Sequence, residues 1–248
     1  GCSKFDFDLI KTGDGVNYNI LGIGDIQTKT DAHHAIFAAD PIDDLTQTGK
    51  ILKGQTVGLA LGDTCWDVLE FFGKYKKTIV RTGVPVYPII GNHDHDQTTF
   101  RETKLGIMHF EEYLTPDYYS FNIGGIHYVM LDNIFYINKA TTAKTGTNIA
   151  GSRSNAILVS PEQLEWLKKD LAAVTDKSTP IVIGMHSPIY KYKKNHIAGE
   201  VITRFTDMSR KHSLEEAYKL SELLKDFSDV HFLTGHTHRN LTVHCKYD

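Results

Sequence analysis

The stretch Ile89-Ile90-Gly91-Asn92-His93-Asp94 decides how the rest of the chain is read. An apolar run stops at a glycine and then presents an amide, an imidazole and a carboxylate in consecutive positions. Val86-Tyr87-Pro88-Ile89-Ile90 is apolar, partly β-branched and bounded by Pro85 and Gly91, which reads as a short buried strand. The polar triplet therefore sits on the loop at that strand's C-terminal end, where open α/β sheets place their ligands. Taken alone it is equally a polar turn, because Asn and Asp are ordinary turn residues.

Four other stretches repeat the pattern. Tyr18-Asn19-Ile20-Leu21-Gly22-Ile23-Gly24 leads to Asp25, and Val57-Gly58-Leu59-Ala60-Leu61-Gly62 leads to Asp63. Pro180-Ile181-Val182-Ile183-Gly184-Met185 ends at His186, and Val230-His231-Phe232-Leu233-Thr234-Gly235 ends at His236-Thr237-His238. Between these strands the spacing predicts helices: parts of 28–53 around a break at Pro41, then 67–81, 98–113, and 214–227. Ser160-Pro161-Glu162-Gln163 is a helix start, with Ser as N-cap and Pro at the first helical position. Leu164, Trp166, Leu167 and Leu171 form that helix's buried face. Residues 118–123 and 126–132 read as a hairpin around Gly124-Gly125. Residues 136–158 and 190–212 read as polar loops, and 241–244 as the start of a last strand. Strands alternating with helices imply α/β layers around one core, and the hairpin makes the sheet mixed.

Composition narrows the classes. The 248 residues are 41% hydrophobic and 23% charged, which suits one globular domain spanning 1–248, possible as a piece of a longer chain. The net charge of −3 and the lack of a basic stripe argue against a nucleic-acid partner. No apolar run reaches the ~20 residues of a membrane span. Cys2, Cys65 and Cys245 make no CxxC pair, so neither a disulfide scaffold nor a Cys-type zinc site is expected. Cys2 is either incidental or the lipid-bearing cysteine of an exported protein, and the expected location is exported or periplasmic. The 13 histidines are the outlying feature. Histidine is the commonest metal ligand.

Strand ends on one sheet edge converge, so Asp25, Asp63, Asn92, His186, His236 and His238 can meet although they are far apart in sequence. Mixed carboxylate, amide and imidazole donors suit Mn, Fe, Zn or Co better than Ca or Mg. There are donors enough for two ions, with one carboxylate bridging. Two ions about 3.5–4 Å apart can activate water and clamp an in-line displacement at phosphorus. The blocks Asp25-Ile26-Gln27, Gly62-Asp63-Thr64-Cys65-Trp66-Asp67, Gly91-Asn92-His93-Asp94, Gly184-Met185-His186 and Gly235-His236-Thr237-His238, in this order, resemble the calcineurin-like metallophosphoesterase superfamily. The resemblance implies a four-layer α/β/β/α sandwich, two mixed β-sheets face to face with helices outside. It implies that Asp25, Gln27, Asp63 and His238 hold one divalent metal, and that Asp63, Asn92, His186 and His236 hold a second. His93 would lie beside the phosphate as proton donor or transition-state stabiliser while a metal-activated hydroxide attacks. The implied activity is hydrolysis of a phosphate mono- or diester, or a pyrophosphate, on a small molecule or phosphoprotein, with Mn, Fe or Zn as cofactor. A metal-binding module without catalysis is the alternative.

Two blocks depart from the family pattern. Asp25-Ile26-Gln27 offers an amide where the family has an imidazole, which either weakens that site or tilts it towards oxygen-preferring metals such as Mn. An Asp-x-Gln version is similar to the branch containing manganese-dependent ADP-ribose/CDP-alcohol diphosphatases. In the second block Asp67 comes one residue late. It is read either as the carboxylate that orients His93 or as a helix N-terminal acid. Trp66 and Trp166 are expected to be core anchors. His95, Asp96, His109, His127, His212, His231 and His244 are read as structural or solvent-facing, and His33 and His34, which follow the first block, either as that or as approaching the site. Lys191-Tyr192-Lys193-Lys194 is either a solvated loop or a rim that attracts an anion.

Overall fold

The computed structural model describes residues 19–51, 56–96, 103–138, 153–157, 159–188, 201–202, 211–238 and 244–245. Cys2, the 191–194 lysine cluster and residues 139–152 of the expected loop lie outside them. In chain order the elements are β1 (Asn19–Ile23), α1 (Asp31–Ala39), α2 (Pro41–Ile51), β2 (Thr56–Leu61), α3 (Phe71–Ile79), β3 (Val86–Ile89), α4 (Thr103–Tyr113), β4 (Tyr119–Ile123) and β5 (Ile126–Leu131). There follow β6 (Ile134–Asn138), β7 (Arg153–Ile157), α5 (Pro161–Ala173), β8 (Ile181–Met185), β9 (Val201–Ile202), α6 (Lys211–Leu224), β10 (Val230–Thr234) and β11 (His244–Cys245).

Two sheets carry the fold. The first has the order β1-β2-β3 with parallel pairing throughout. The second has the order β10-β8-β5-β4, parallel except that β4 runs antiparallel to β5. Strand β2 is buried at every position, as its unbroken run Thr-Val-Gly-Leu-Ala-Leu requires of a strand covered on both faces. Pro88 is tolerated because β3 is an edge strand, where a missing N–H breaks no ladder.

Side-chain alternation sorts the core into three layers. Val57, Leu59, Leu61, Tyr87, Ile89, Tyr128, Met130 and Val182 pack between the two sheets. Tyr87, Phe121 and Tyr128 form a ring stack through that layer, with centroids 3.8 and 4.8 Å apart. Ala60, Ile90, Phe72 and Phe110 belong to the layer under α1–α4, and Val129, Ile183 and Leu167 to the layer under α5 and α6. The result is the expected four-layer sandwich. Ser160 caps α5 by accepting from Gln163 N at 3.2 Å. The buried Gln163 amide then clasps Asp132, donating to its carbonyl and accepting from its N–H. His127, buried on β5, is engaged through both ring nitrogens by Asn122 and Asp170 and is structural.

Three expectations are corrected. Residues 134–138 and 153–157, assigned largely to a loop, form an antiparallel strand pair. Arg153-Ser154-Asn155 gives β7 little apolar alternation, and the Thr-rich sequence between the two strands masked the pair. The helix expected from residue 67 begins at Phe71, because Asp67 has a φ of 59°, which no α-helix accepts. Trp66 is no core anchor: it is 37% exposed. Trp166 does pack against the α5 layer, edge to face with Tyr118.

Leu59→Ala, fully buried between the sheets, is expected to cost about 2–5 kcal/mol in urea denaturation. Burial raises the Asp132 carboxyl to about 8, so it folds protonated near neutrality. Its stabilising form is complete below the ordinary carboxylate range and is lost as pH rises through about 8. Asp132→Asn removes that loss, so the variant should gain on the parent in urea midpoint between pH 6 and pH 9.

Candidate metal centre

The C-terminal ends of β1, β2, β3, β8 and β10 meet at one rim shared by both sheets. His186 fastens them. Its ring is wholly buried, and Nδ1 lies 2.8 Å from Leu61 O at the end of β2. A carbonyl oxygen only accepts, so Nδ1 carries a proton and Nε2 of the neutral ring is a lone pair. That lone pair faces Asn92 Oδ1 at 3.0 Å, His236 Nδ1 at 3.2 Å and Asp63 Oδ1 at 3.3 Å. One ligand atom each from Asp63, His186 and His236 lie within 4.8 Å of one another.

Lone pairs so arranged repel unless a cation stands among them. A proton is the smallest such cation, and the His186 imidazole titrates above its ordinary range. Burial pulls it down, but the hydrogen bond to Asp63 and that group's charge outweigh it. Asp63 responds in the opposite sense: burial alone would raise it, yet His186 and the His93 N–H hold it down to about 2. His236 is lowered to about 4, first by burial and then by the charge of His186. Anionic carboxylate, neutral imidazole and amide oxygen are the donor set of a borderline divalent metal, and this half of the rim fits one.

The other half is built by Asp25, Gln27 and His238. Asp25 accepts the His236 N–H through both carboxylate oxygens, at 3.0 and 2.9 Å, and lies 3.4 Å from His238 Nε2. Burial raises its carboxyl. The Gln27 amide sits between Asp63 Oδ2 and His238 Nε2, 3.2 Å from each, with its NH2 turned towards them. To ligate a metal the amide must rotate and present its oxygen. This half therefore fits a cation less tightly than the first. All seven residues read as ligands come together here.

The two readings of Asp67 are separated by geometry. Its carboxylate lies 3.1 Å from His93 Nδ1, and its backbone N–H donates to His93 O at 3.1 Å. It orients His93 and caps no helix. The late position is absorbed by left-handed backbone. Among the described residues no hydrogen bond reaches His93 Nε2, so that ring atom is available to a further partner.

Backbone strain is concentrated at this rim. Among the described residues, non-glycine φ values are positive at Asp25, Gln27, Asp63, Asp67, His236 and His238, each one a site residue. Two glycines make room: a Cβ on Gly91 would meet Asp63 N at 2.1 Å, and one on Gly62 would meet His186 Nδ1 at 2.5 Å. Asp94, quoted in the opening motif but given no role, holds these loops together. Fully buried, it accepts from Gly91 N, Thr64 N and Cys65 N at 2.9–3.2 Å. Asn133 was also missed: its amide donates to Ser187 O and accepts from Ser187 N, fixing the residue after His186. The signal was an Asp-Asn pair closing a strand. His34 hydrogen-bonds Thr78 and stacks near Phe37 and Phe71, in the helical layer rather than at the rim.

Among the described residues no helix is long and apolar enough to cross a membrane. Known proteins offer close parallels. The chain is 30% identical over 183 residues to purple acid phosphatase 15 of Arabidopsis thaliana, a match covering 70% of this chain and 27% of that protein. Purple acid phosphatase 22 of the same plant is 28% identical over 56% of this chain and 29% of its own length. The chain thus spans less than a third of the curated relatives it matches. A dimetal phosphatase from Danio rerio has the same fold at 14% identity, with a TM-score of 0.52 over 89% of this chain and 82% of that one. The calcineurin-like phosphoesterase family model matches residues 18–240, every strand-end block included, and the chain belongs to that family.

Proposed function

We propose that the protein is a metal-dependent phosphohydrolase that cleaves phosphate esters at this rim. The observation that carries the reading is the His186 Nε2 lone pair aimed at Asp63, Asn92 and His236 in a buried setting. Family membership and the phosphatase relatives support it. Asp63, Asn92, His186 and His236 would hold one divalent cation. Asp25, Gln27, Asp63 and His238 would hold a second. Bound there, the cations supply Lewis acidity, lowering the pKa of water and neutralising phosphoryl charge. Mn, Fe and Zn match the donors.

The protein's own groups do the rest. The strained loops fix the donors before substrate arrives, so little reorganisation is needed. Leu61 O fixes the His186 tautomer, as a hydrogen bond to the far nitrogen does for metal-binding imidazoles generally. Asp67 holds His93 Nδ1, which leaves Nε2 to donate a proton to the leaving oxygen. The substrate reading is a phosphate mono- or diester or a pyrophosphate, in keeping with the word phosphatase in the relatives' names.

The test is hydrolysis of p-nitrophenyl phosphate and bis-p-nitrophenyl phosphate by protein loaded with Mn, Fe or Zn. His186→Ala and Asn92→Ala should lose at least about 10²-fold in kcat/KM while keeping the far-UV circular dichroism of the parent. Chelation should abolish turnover and re-addition restore it. Bound metal without turnover on any ester would favour the non-catalytic module. Asp67→Asn should lower kcat by about 10–100-fold with metal content unchanged, measured by elemental analysis beside steady-state kinetics.

A further inference from the structure

The exposed indole of Trp66 has no packing role that accounts for it. Its chain neighbours Cys65, Val68 and Leu69 belong to the helical-layer core, whereas Trp66 turns away from that core and is 37% exposed. It lies flat on the His93 ring, with centroids 4.2 Å apart and planes 21° from parallel. The Trp66 backbone N–H donates to Thr28 O at 2.9 Å, and Lys29 Nζ lies 5.6 Å from the indole centroid. The backbone that carries the indole is thus tied to the segment that follows Gln27.

His93 needs such a wall. Its backbone is fixed: N–H donates to Asp63 Oδ1 at 2.9 Å, and the carbonyl accepts from Asp67 N. Its ring has one polar tether, Nδ1 to Asp67 at 3.1 Å, and is partly open to solvent. A single hydrogen bond sets the position of one ring atom but leaves the plane free to rock about it. A flat ring against one face removes that freedom. Three residues stand between Asp63 and Asp67 here, and Trp66, the last of them, is the one that meets His93.

Resting on the phosphohydrolase reading, we propose that Trp66 is a positioning residue that holds the His93 ring so that Nε2 meets the leaving-group oxygen. In that step the bond from water oxygen to phosphorus forms as the bond from phosphorus to the leaving oxygen breaks. The bonding pair goes to the leaving oxygen, which takes the Nε2 proton and departs as an alcohol or phenol. The attacking water releases its proton to solvent, and His93 is reprotonated from solvent. A leaving group that is stable as an anion gains little from this proton, whereas a basic one depends on it.

The experiment measures kcat for Trp66→Ala and Trp66→Phe on 2,4-dinitrophenyl, p-nitrophenyl, phenyl and alkyl phosphates, with metal content determined for each protein. His93→Ala is the reference. Trp66→Ala should lose about 10-fold or more on phenyl and alkyl phosphates but less than about 2-fold on the dinitrophenyl ester, at unchanged metal content. Trp66→Phe, still a flat ring, should recover most of the loss and folds with minimal change of volume. An equal loss across all four esters, a loss of metal, or no loss at all overturns the role of Trp66 while leaving the phosphohydrolase reading intact. If the parent protein turns over none of the esters, that reading fails and this one with it.

Discussion

One hydrogen bond, from His186 Nδ1 to Leu61 O, sets the terms for the whole rim. It joins the end of β8 in one sheet to the end of β2 in the other, where the inter-sheet core gives out. It also fixes which imidazole nitrogen is a lone pair, and so turns a buried structural contact into a chemical one. Around it the other strand ends are locked in sequence. His186 O accepts from Gly235 N, the His236 N–H reaches back to Asp25, and Asp25 N donates to Gly62 O. The rim is a closed circuit of hydrogen bonds between two sheets, some backbone to backbone and some through side chains, with the ligand side chains of five strand ends converging on it.

Such a circuit is costly. Left-handed backbone at a non-glycine residue costs of order 1–3 kcal/mol, and six such residues stand at this rim. Three braces offset the cost. Asp94 takes up three buried N–H groups, Asn133 clasps Ser187 on both sides, and Gln163 does the same for Asp132. Each brace is a buried polar side chain bonded mainly to backbone, so each loop is held by bonds that do not depend on its own ligand residue. Strain of this kind persists only where surrounding structure over-determines it.

The architecture was legible because burial writes itself into sequence. The all-apolar run of β2 and the repeated ending of glycine then ligand-type residue located the strand ends, and the order of the blocks carried the resemblance. Side-chain direction around those ends was not legible. Nothing in Gly62-Asp63-Thr64-Cys65-Trp66-Asp67 says that the chain turns left-handed at Gly62, Asp63 and Asp67, yet that is what carries Asp67 to His93 and lays Trp66 on the His93 ring. Asp94 was overlooked for a related reason: a carboxylate beside ligands looks like a ligand or a turn, and its three N–H partners come from loops that only the fold brings near. The β6–β7 pair failed differently, since Arg153-Ser154-Asn155 in β7 lacks the alternation that pattern reading needs.

Strain and repulsion together give the cation a structural part as well as a chemical one. Without it, the His186 lone pair, the Asp63 carboxylate and the Asn92 oxygen confront one another in a buried setting, and a proton relieves only part of that. Whatever binds the folded rim and not the unfolded chain adds stability in proportion to RT ln(1 + [L]/Kd), about 2.7 kcal/mol at a hundredfold excess over Kd. That is comparable to one or two of the left-handed residues. The two halves of the rim should share this gain unequally. The half around His186 presents a lone pair already fixed, whereas the other must first turn the Gln27 amide away from Asp63 and His238. On the proposed reading, occupancy would proceed from the buried half outwards, and the amide that departs from the family pattern would set how far it goes.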